Sequence, residues 1–355
     1  MPGQVHIVGA RPNFIKAAPV VSALQEMDAD TLLIHTGQHY EPALSQVFFD
    51  ELGLPKPDRN LGVGSGTHAR QTAALMVALE ELIGDVTPDR VVVYGDVNST
   101  LAAALVAAKL HVPIAHVEAG LRSFDRSMPE ELNRVVTDAL SDLHFTTSPE
   151  ASDHLSAEGV SPDGVHFVGN PMIDTLLRFR DALDEVGARR RFRLDADYAV
   201  VTIHRPANVD DPATARDLAR ALGLVSTEIP ILLPLHPRGR ESLDDAGLLD
   251  LPDVVVTDPL PYLEFMALVS GARLVITDSG GIQEETTVLG VPCLTLRDNT
   301  ERPITVTLGT NRLVGHDPDF IFASAVQILE DPPLGTVPPL WDGQAGVRIA
   351  EILQR

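Results

Sequence analysis

Short apolar runs recur along this chain, and most lead into a polar turn followed by a stretch of helical period. The clearest are Gln4–Val8, Arg90–Tyr94, Val254–Thr257 and residues 113–117, 198–203, 231–235 and 273–276. Strands that are apolar almost throughout must be covered on both faces, and a helix between successive strands lets them run parallel. The pattern therefore demands doubly wound α/β sheets. With 355 residues, the chain is too long for one ordinary core, and at 44% hydrophobic it can fill two. Gly169-Asn170-Pro171 reads as the junction, giving domains 1–169 and 170–342.

Composition narrows the function. A formal net charge of −23 argues against nucleic acid as the main partner. No apolar run reaches membrane-spanning length, and the first residues lack a charged-then-apolar leader, so no membrane partner is expected. The single cysteine, Cys293, excludes an intramolecular disulfide and a cysteine metal cluster, and a cytoplasmic location is expected. There is no HExxH, and no strand is followed by G-x-G-x-x-G, so neither a metal nor a dinucleotide cofactor is expected. Only three of the 27 basic residues are lysines, Lys16, Lys56 and Lys109. In so acidic a chain, cations near a sheet edge are informative. The run Arg189-Arg190-Arg191 with Arg193 reads as a solvated helix end.

The strand at 273–276 leads into Thr277-Asp278-Ser279-Gly280-Gly281-Ile282-Gln283-Glu284-Glu285. A helix that opens on two glycines presents free backbone N–H groups and its positive dipole end, and a diphosphate can approach closely. The bland alternative is a βα turn whose glycines serve geometry alone. Ligands of doubly wound sheets bind at the carboxyl ends of the strands. After Gln4–Val8 come Arg11 and Lys16, two cations beside a helix N-terminus. After Arg90–Tyr94 comes Asp96, which alone would pass for a helix N-cap. After 113–117 comes Glu118, and Pro129-Glu130-Glu131 opens a helix whose dipole would itself explain the two acids. Asp96, Glu118 and Glu130 are all expected on loops at one sheet edge, where mutual repulsion would separate an acid from a base. His204 follows the 198–203 strand, placed to face those carboxylates across a cleft.

Together these motifs resemble the non-hydrolysing UDP-N-acetylglucosamine 2-epimerases along essentially the whole chain. The residues that carry the likeness are Gly9-Ala10-Arg11-Pro12 with Lys16, Gly37-Gln38-His39, Gly95-Asp96 and His116-Val117-Glu118-Ala119-Gly120-Leu121-Arg122. They continue with Pro129-Glu130-Glu131-Leu132-Asn133-Arg134, Thr202-Ile203-His204-Arg205, Asp278-Ser279-Gly280-Gly281 and Thr300-Glu301-Arg302-Pro303. The resemblance implies two Rossmann-like domains of the glycosyltransferase-B type with the active site in the central cleft. It also implies a homodimer, and a C-terminal helix, 343–355, that crosses back onto the first domain. It implies that Ser279, Gly280 and Gly281 hold the diphosphate of a UDP-sugar substrate, aided by Arg11, Lys16 and Arg302. Glu285 would take the ribose hydroxyls and Phe265 would pack near the uracil. Asp96, Glu118, Glu130 and His204 would carry the chemistry.

Many bacterial members bind a second UDP-GlcNAc as activator. Matching positions are Gln38, His39, Arg70, Arg205 and His236. Glu41 departs from that pattern, as does Leu260 near the uracil. The loop 123–128 is shorter than in many bacterial members and looks more like archaeal enzymes and like epimerases of UDP-2,3-diacetamido-glucuronate. A glycosyltransferase of the same build, or a non-catalytic nucleotide-sugar sensor, would share the diphosphate site. Neither would need the three carboxylates at one edge.

Overall fold

The computed structural model of the chain describes residues 3–37, 53–194, 196–235 and 237–355, and only the backbone of Arg11, Pro237 and Arg238. The helix expected after Gly37-Gln38-His39-Tyr40 lies outside the described residues. Two compact units divide the chain, Met1–Arg178 with Pro339–Arg355, and Phe179–Pro338.

The first unit is built on β1 (Gln4–Val8), β2 (Thr31–His35), β3 (Arg59–Asn60), β4 (Arg90–Tyr94), β5 (Ile114–Ala119), β6 (Leu143–Thr146) and β7 (Val165–Phe167). All pair in parallel, in the order β3-β2-β1-β4-β5-β6-β7. Every residue of β1 is buried, Gln4 and His6 included, as are Val91, Val92 and Val93 of β4, whose run carries no polar alternation. The chain builds outward from β1 through β2 to β3, then restarts at β4 on the other side. The topological switch point thus lies between β1 and β4. Residues 55–66, expected as loop, hold β3, which pairs Ile34 with Arg59 and His35 with Asn60. Two polar residues give no periodic signal.

The second unit repeats the plan with β8 (Ala199–Thr202), β9 (Ile231–Pro234), β10 (Val254–Thr257), β11 (Leu274–Thr277), β12 (Cys293–Thr295) and β13 (Asn311–Leu313). The order β10-β9-β8-β11-β12-β13 places its switch point between β8 and β11. β13 and the helix Pro237–Asp245 were not expected from sequence. β13 depends on context: Asn311 pairs with Cys293, and its Oδ1 accepts the Thr295 hydroxyl at 2.7 Å.

The helix Arg11–Glu26 contains Pro19, which has no N–H to offer the carbonyl four residues back. That carbonyl, Ile15 O, instead accepts the Thr175 hydroxyl at 2.7 Å. The last helix, Ala345–Leu353, packs on the same helix in the first unit. Gly346 permits this, since a Cβ there would stand 2.6 Å from the Pro19 carbonyl carbon. Its N–H donates to Asp174 Oδ2 at 2.7 Å, and burial pushes the Asp174 carboxyl up to about 6. Trp341 Nε1 donates to Thr147 O at 2.8 Å and Gln4 Nε2 to Leu353 O at 3.0 Å. Among the described residues no helix is long and apolar enough to cross a membrane.

Candidate active site

Each switch point brings together some of the side chains singled out above. In the first unit, Asn13 ties the turn after β1 to the end of β4. Its Oδ1 accepts the N–H groups of Gly9 and Ala10 at 3.2 and 3.0 Å, and its Nδ2 donates to Tyr94 O at 2.6 Å. Lys16, one turn into the helix, is buried and ion-paired with Glu118. Gly95 (φ +61°) makes room for that pair: a Cβ there would lie 3.0 Å from Lys16 Nζ and 3.7 Å from Glu118 Oε2. Lys16 and Glu118 thus converge on the backbone beside Asp96. Lys16, expected beside phosphate, serves here as the counter-ion of a buried carboxylate.

Two of the three carboxylates are placed differently from the expectation of loops. Glu118 belongs to β5, at a bulge where the register against β6 shifts between Val117 and Ala119. Its φ of 73° is left-handed, which costs a non-glycine residue on the order of 1–3 kcal/mol. Such strain persists only when the surroundings over-determine it, and it collects where a side chain must be aimed. Glu130 sits in the first turn of the helix Pro129–Leu140, half-buried. Among the described residues it makes no ion pair. Asp96, also half-buried, accepts Arg134 Nη1 at 2.6 Å.

Glu131 differs from its neighbour. It is buried and accepts the N–H groups of Ser123 and Phe124, each at 2.9 Å, and Arg134 Nη2 at 2.8 Å. Burial would raise its pKa, but these donors outweigh burial and hold it below the usual carboxylate range. Glu131 therefore fixes the 123–128 loop, and Glu130 is left available.

In the second unit, β11 ends at Thr277, whose Oγ1 lies 2.7 Å from Thr202 Oγ1 across the switch point and accepts the Ser279 N–H at 3.0 Å. The helix Gly280–Leu289 starts there, without an acid in its first turn or a side-chain cap from Ser279. A Cβ on Gly280 would fall 2.4 Å from Arg302 Nη1 and 2.8 Å from Glu301 Oε1, so only glycine lets the guanidinium lie on the helix start. Arg302 is buried, paired with Glu301 and, through Nε at 3.1 Å, with Glu284. Glu301 also takes Arg297 Nη2 at 2.7 Å, while Arg205 Nη2 stands 3.7 Å away. Arg302 thus lies on a helix N-terminus, with Arg297 and Arg205 near the same Glu301, a setting that favours an anion.

His204 is exposed, and its Nδ1 lies 2.7 Å from Asp278 Oδ1. Asp278 Oδ2 accepts the N–H groups of His204 and Arg205 at 2.9 and 2.8 Å and Asn208 Nδ2 at 3.0 Å. Burial would push Asp278 up, but His204 and these donors pull it down to about 2. A carboxylate so held keeps Nδ1 of the ring engaged and leaves Nε2 outward, the orienting arrangement of an acid–base histidine. Sequence reasoning quoted Asp278 only as part of a motif. Its position directly after a buried strand was the available signal.

Glu285 is buried and accepts the Tyr262 hydroxyl at 2.8 Å. Burial pushes it up to about 8 despite that donor. Phe265 lies on the same helix as Tyr262, half-buried. Arg70 is exposed on the helix His68–Val86, and the side chain of Arg11 and all of Gln38, His39 and His236 lie outside the described residues. Arg205 Nε donates to Asp278 O at 2.9 Å. Among the described residues no cluster of three or more His, Cys, Asp or Glu side chains could hold a metal ion.

The fold and these two sheet edges define an α/β protein of two Rossmann-like units, one with an arginine laid on a helix start and the other with a lysine-paired glutamate at its switch point. Known proteins sharpen that class. The family model for UDP-N-acetylglucosamine 2-epimerase matches residues 22–354. A UDP-N-acetylglucosamine 2-epimerase of Methanocaldococcus jannaschii is 41% identical, over 98% of this chain and 97% of its own. A UDP-2,3-diacetamido-2,3-dideoxy-D-glucuronate 2-epimerase of Pseudomonas aeruginosa is 43% identical, over 98% of both. The crystal structure of the Methanocaldococcus jannaschii enzyme with UDP-GlcNAc and UDP superposes with a TM-score of 0.92 at 40% identity, covering 99% of each chain. That of the Neisseria meningitidis enzyme bound to UDP-GlcNAc gives 0.91 at 29% identity, also covering 99% of each. The chain belongs to the UDP-N-acetylglucosamine 2-epimerase family.

Proposed function

We propose that the protein interconverts UDP-GlcNAc and UDP-ManNAc without net hydrolysis. The C2 proton of the sugar is not acidic, because no carbonyl adjoins it. Inversion therefore runs by elimination: a carboxylate takes the C2 proton, the C1–C2 double bond forms, and the C1–O bond to UDP breaks. Returning a proton to the other face of C2 while UDP oxygen re-forms the C1 bond completes the exchange with no redox change. Asp96, Glu118 and Glu130 supply the acid and base, and His204, oriented by Asp278, assists proton transfer. Charge that builds on the departing UDP is met by Gly280 and Gly281 N–H groups, Ser279, Arg302, Arg11 and Lys16. Glu285 takes the ribose and Phe265 the uracil.

The observation that carries this reading is Glu118. A transferase or sensor would have no use for a buried carboxylate in a strained backbone with a lysine held against it. Proton NMR with UDP-GlcNAc in D2O tests the reading: a ManNAc anomeric signal should grow while deuterium enters at C2. Free ManNAc and UDP in quantity would instead mark a hydrolase. A second substrate is favoured by the near-equal identity to the Pseudomonas aeruginosa enzyme. UDP binding by calorimetry without turnover of UDP-GlcNAc would select the UDP-diacetamido-uronate. A homodimer is part of the proposal, supported by exposed Ala73, Ala74 and Val77 along one helix. So are an activator site involving Gln38, His39, Arg70, Arg205 and His236, and a cytoplasmic location.

A further inference from the structure

Asp138 lies in the last turn of the helix Pro129–Leu140 and is 1% exposed, out of reach of any substrate. Its two oxygens make three contacts, and all three partners flank Glu118. Oδ1 is 2.6 Å from His116 Nδ1, two residues before it. Oδ2 accepts the Gly120 N–H at 3.1 Å, two residues after it, and Arg122 Nη1 at 2.7 Å. Between those points the backbone takes the left-handed turn at Glu118 (φ 73°) and another at Gly120 (φ 78°). Gly120 is wedged in place, since a Cβ there would meet Ala151 O at 2.3 Å, and its own carbonyl receives His154 Nδ1 at 2.9 Å. Arg122 is anchored a second time by Glu158 at 2.6 Å. His116 carries the connection further: its Nε2 is 2.8 Å from Gly95 O, one residue before Asp96.

Burial of an aspartate in a helix has an ordinary explanation, a satisfied core carboxylate. That explanation does not account for where the contacts fall. Lone packing would scatter them, whereas here one carboxylate grips both ends of a five-residue segment and, through His116, the turn that presents a second carboxylate.

We infer that Asp138 is a positioning residue for the epimerisation, fixing the strained backbone that aims Glu118 and, through His116, the turn that presents Asp96. This rests on the 2-epimerase reading above. Asp138→Asn loses the ion pair with Arg122 in either orientation of the amide, and its NH2 can face His116 only if the ring accepts at Nδ1, so the grip weakens. A displaced carboxylate slows proton transfer, while the Gly280–Arg302 part of the proposed UDP site, in the other unit, is untouched.

The test is kinetics of Asp138→Asn beside wild type and Glu118→Gln, with active sites counted by UDP calorimetry. We expect kcat for UDP-GlcNAc to fall about 10- to 100-fold, with KM and UDP affinity within about twofold of wild type. Should that variant not fold, His116→Gln is read by the same split. Wild-type kcat per active site in Asp138→Asn overturns the inference, as does a loss of kcat, KM and UDP affinity together with melting temperature. A wild type inert toward UDP-GlcNAc overturns the functional reading itself. An active wild type, an inert Glu118→Gln and an unimpaired Asp138→Asn overturn the inference alone.

Discussion

The two units share one topology and put it to opposite electrostatic use. At the first switch point, the carboxylates proposed to do the chemistry are held by cations: Lys16 on Glu118, Arg134 on Asp96. At the second, the cations and helix N-terminus proposed to meet the diphosphate are held by carboxylates: Glu301 and Glu284 on Arg302, Asp278 on His204 and the turn around it. Strand order cannot distinguish the two. What differs is the half-dozen residues that leave each strand, so the sheet fixes where chemistry happens and the turn fixes which.

The strongest way to break the comparison is to neutralise the acidic edge. Asp96→Asn, Glu118→Gln and Glu130→Gln should each lower kcat by about 10²–10⁴-fold with UDP affinity unchanged by calorimetry. Wild-type turnover in all three would remove the chemistry from that edge. The converse change is Gly280→Ala, which places a methyl against Arg302. UDP binding should weaken about 10- to 100-fold, and unaltered affinity would show that the helix start is not the anion site.

Two smaller effects sharpen the contrast through pH. Asp278 is held near 2, below its ordinary 3.8, so its contribution to stability is present above about pH 4 and lost as pH falls toward 2. Asp278→Asn should flatten that acid limb in melting temperatures taken across pH. Glu285 runs the other way. It keeps its proton to about 8 when folded against an ordinary 4.5, so its contribution is full below 4.5 and is lost as pH rises through 8. Glu285→Gln does not titrate, and its melting temperature should gain on wild type between about pH 5 and 8 while UDP affinity drops. A constant difference across that range would contradict the buried, protonated carboxyl.

Strands such as β4 and β8 were legible because burial on both faces leaves an uninterrupted apolar run. β3 and β13 were not, being two and three residues stabilised by neighbours instead of by their own pattern. Several of the proposed site residues stood out because they stand at or just after the end of a strand, as Asp96, Glu118 and His204 do. Their supports did not. Asp138 looks like one more acid on an amphipathic helix, Glu131 is indistinguishable from Glu130 by sequence, and no residue type announces the positive φ at Glu118. Such roles depend on which atoms meet, and sequence spacing carries that only within a helix or strand.

The return of Pro339–Arg355 to the first unit bears on how the protein is born. A ribosome finishes residues 3–178 long before it reaches Trp341, Gly346 and Leu353, whose bonds to Thr147, Asp174, Gln4 and Arg90 close that unit. The second unit, Phe179–Pro338, is continuous and has every strand it needs as soon as it emerges. Vectorial synthesis ordinarily favours the N-terminal domain. Here the half that bears the carboxylates must wait, with the face of its first helix around Pro19 uncovered, until Pro339–Arg355 has been made.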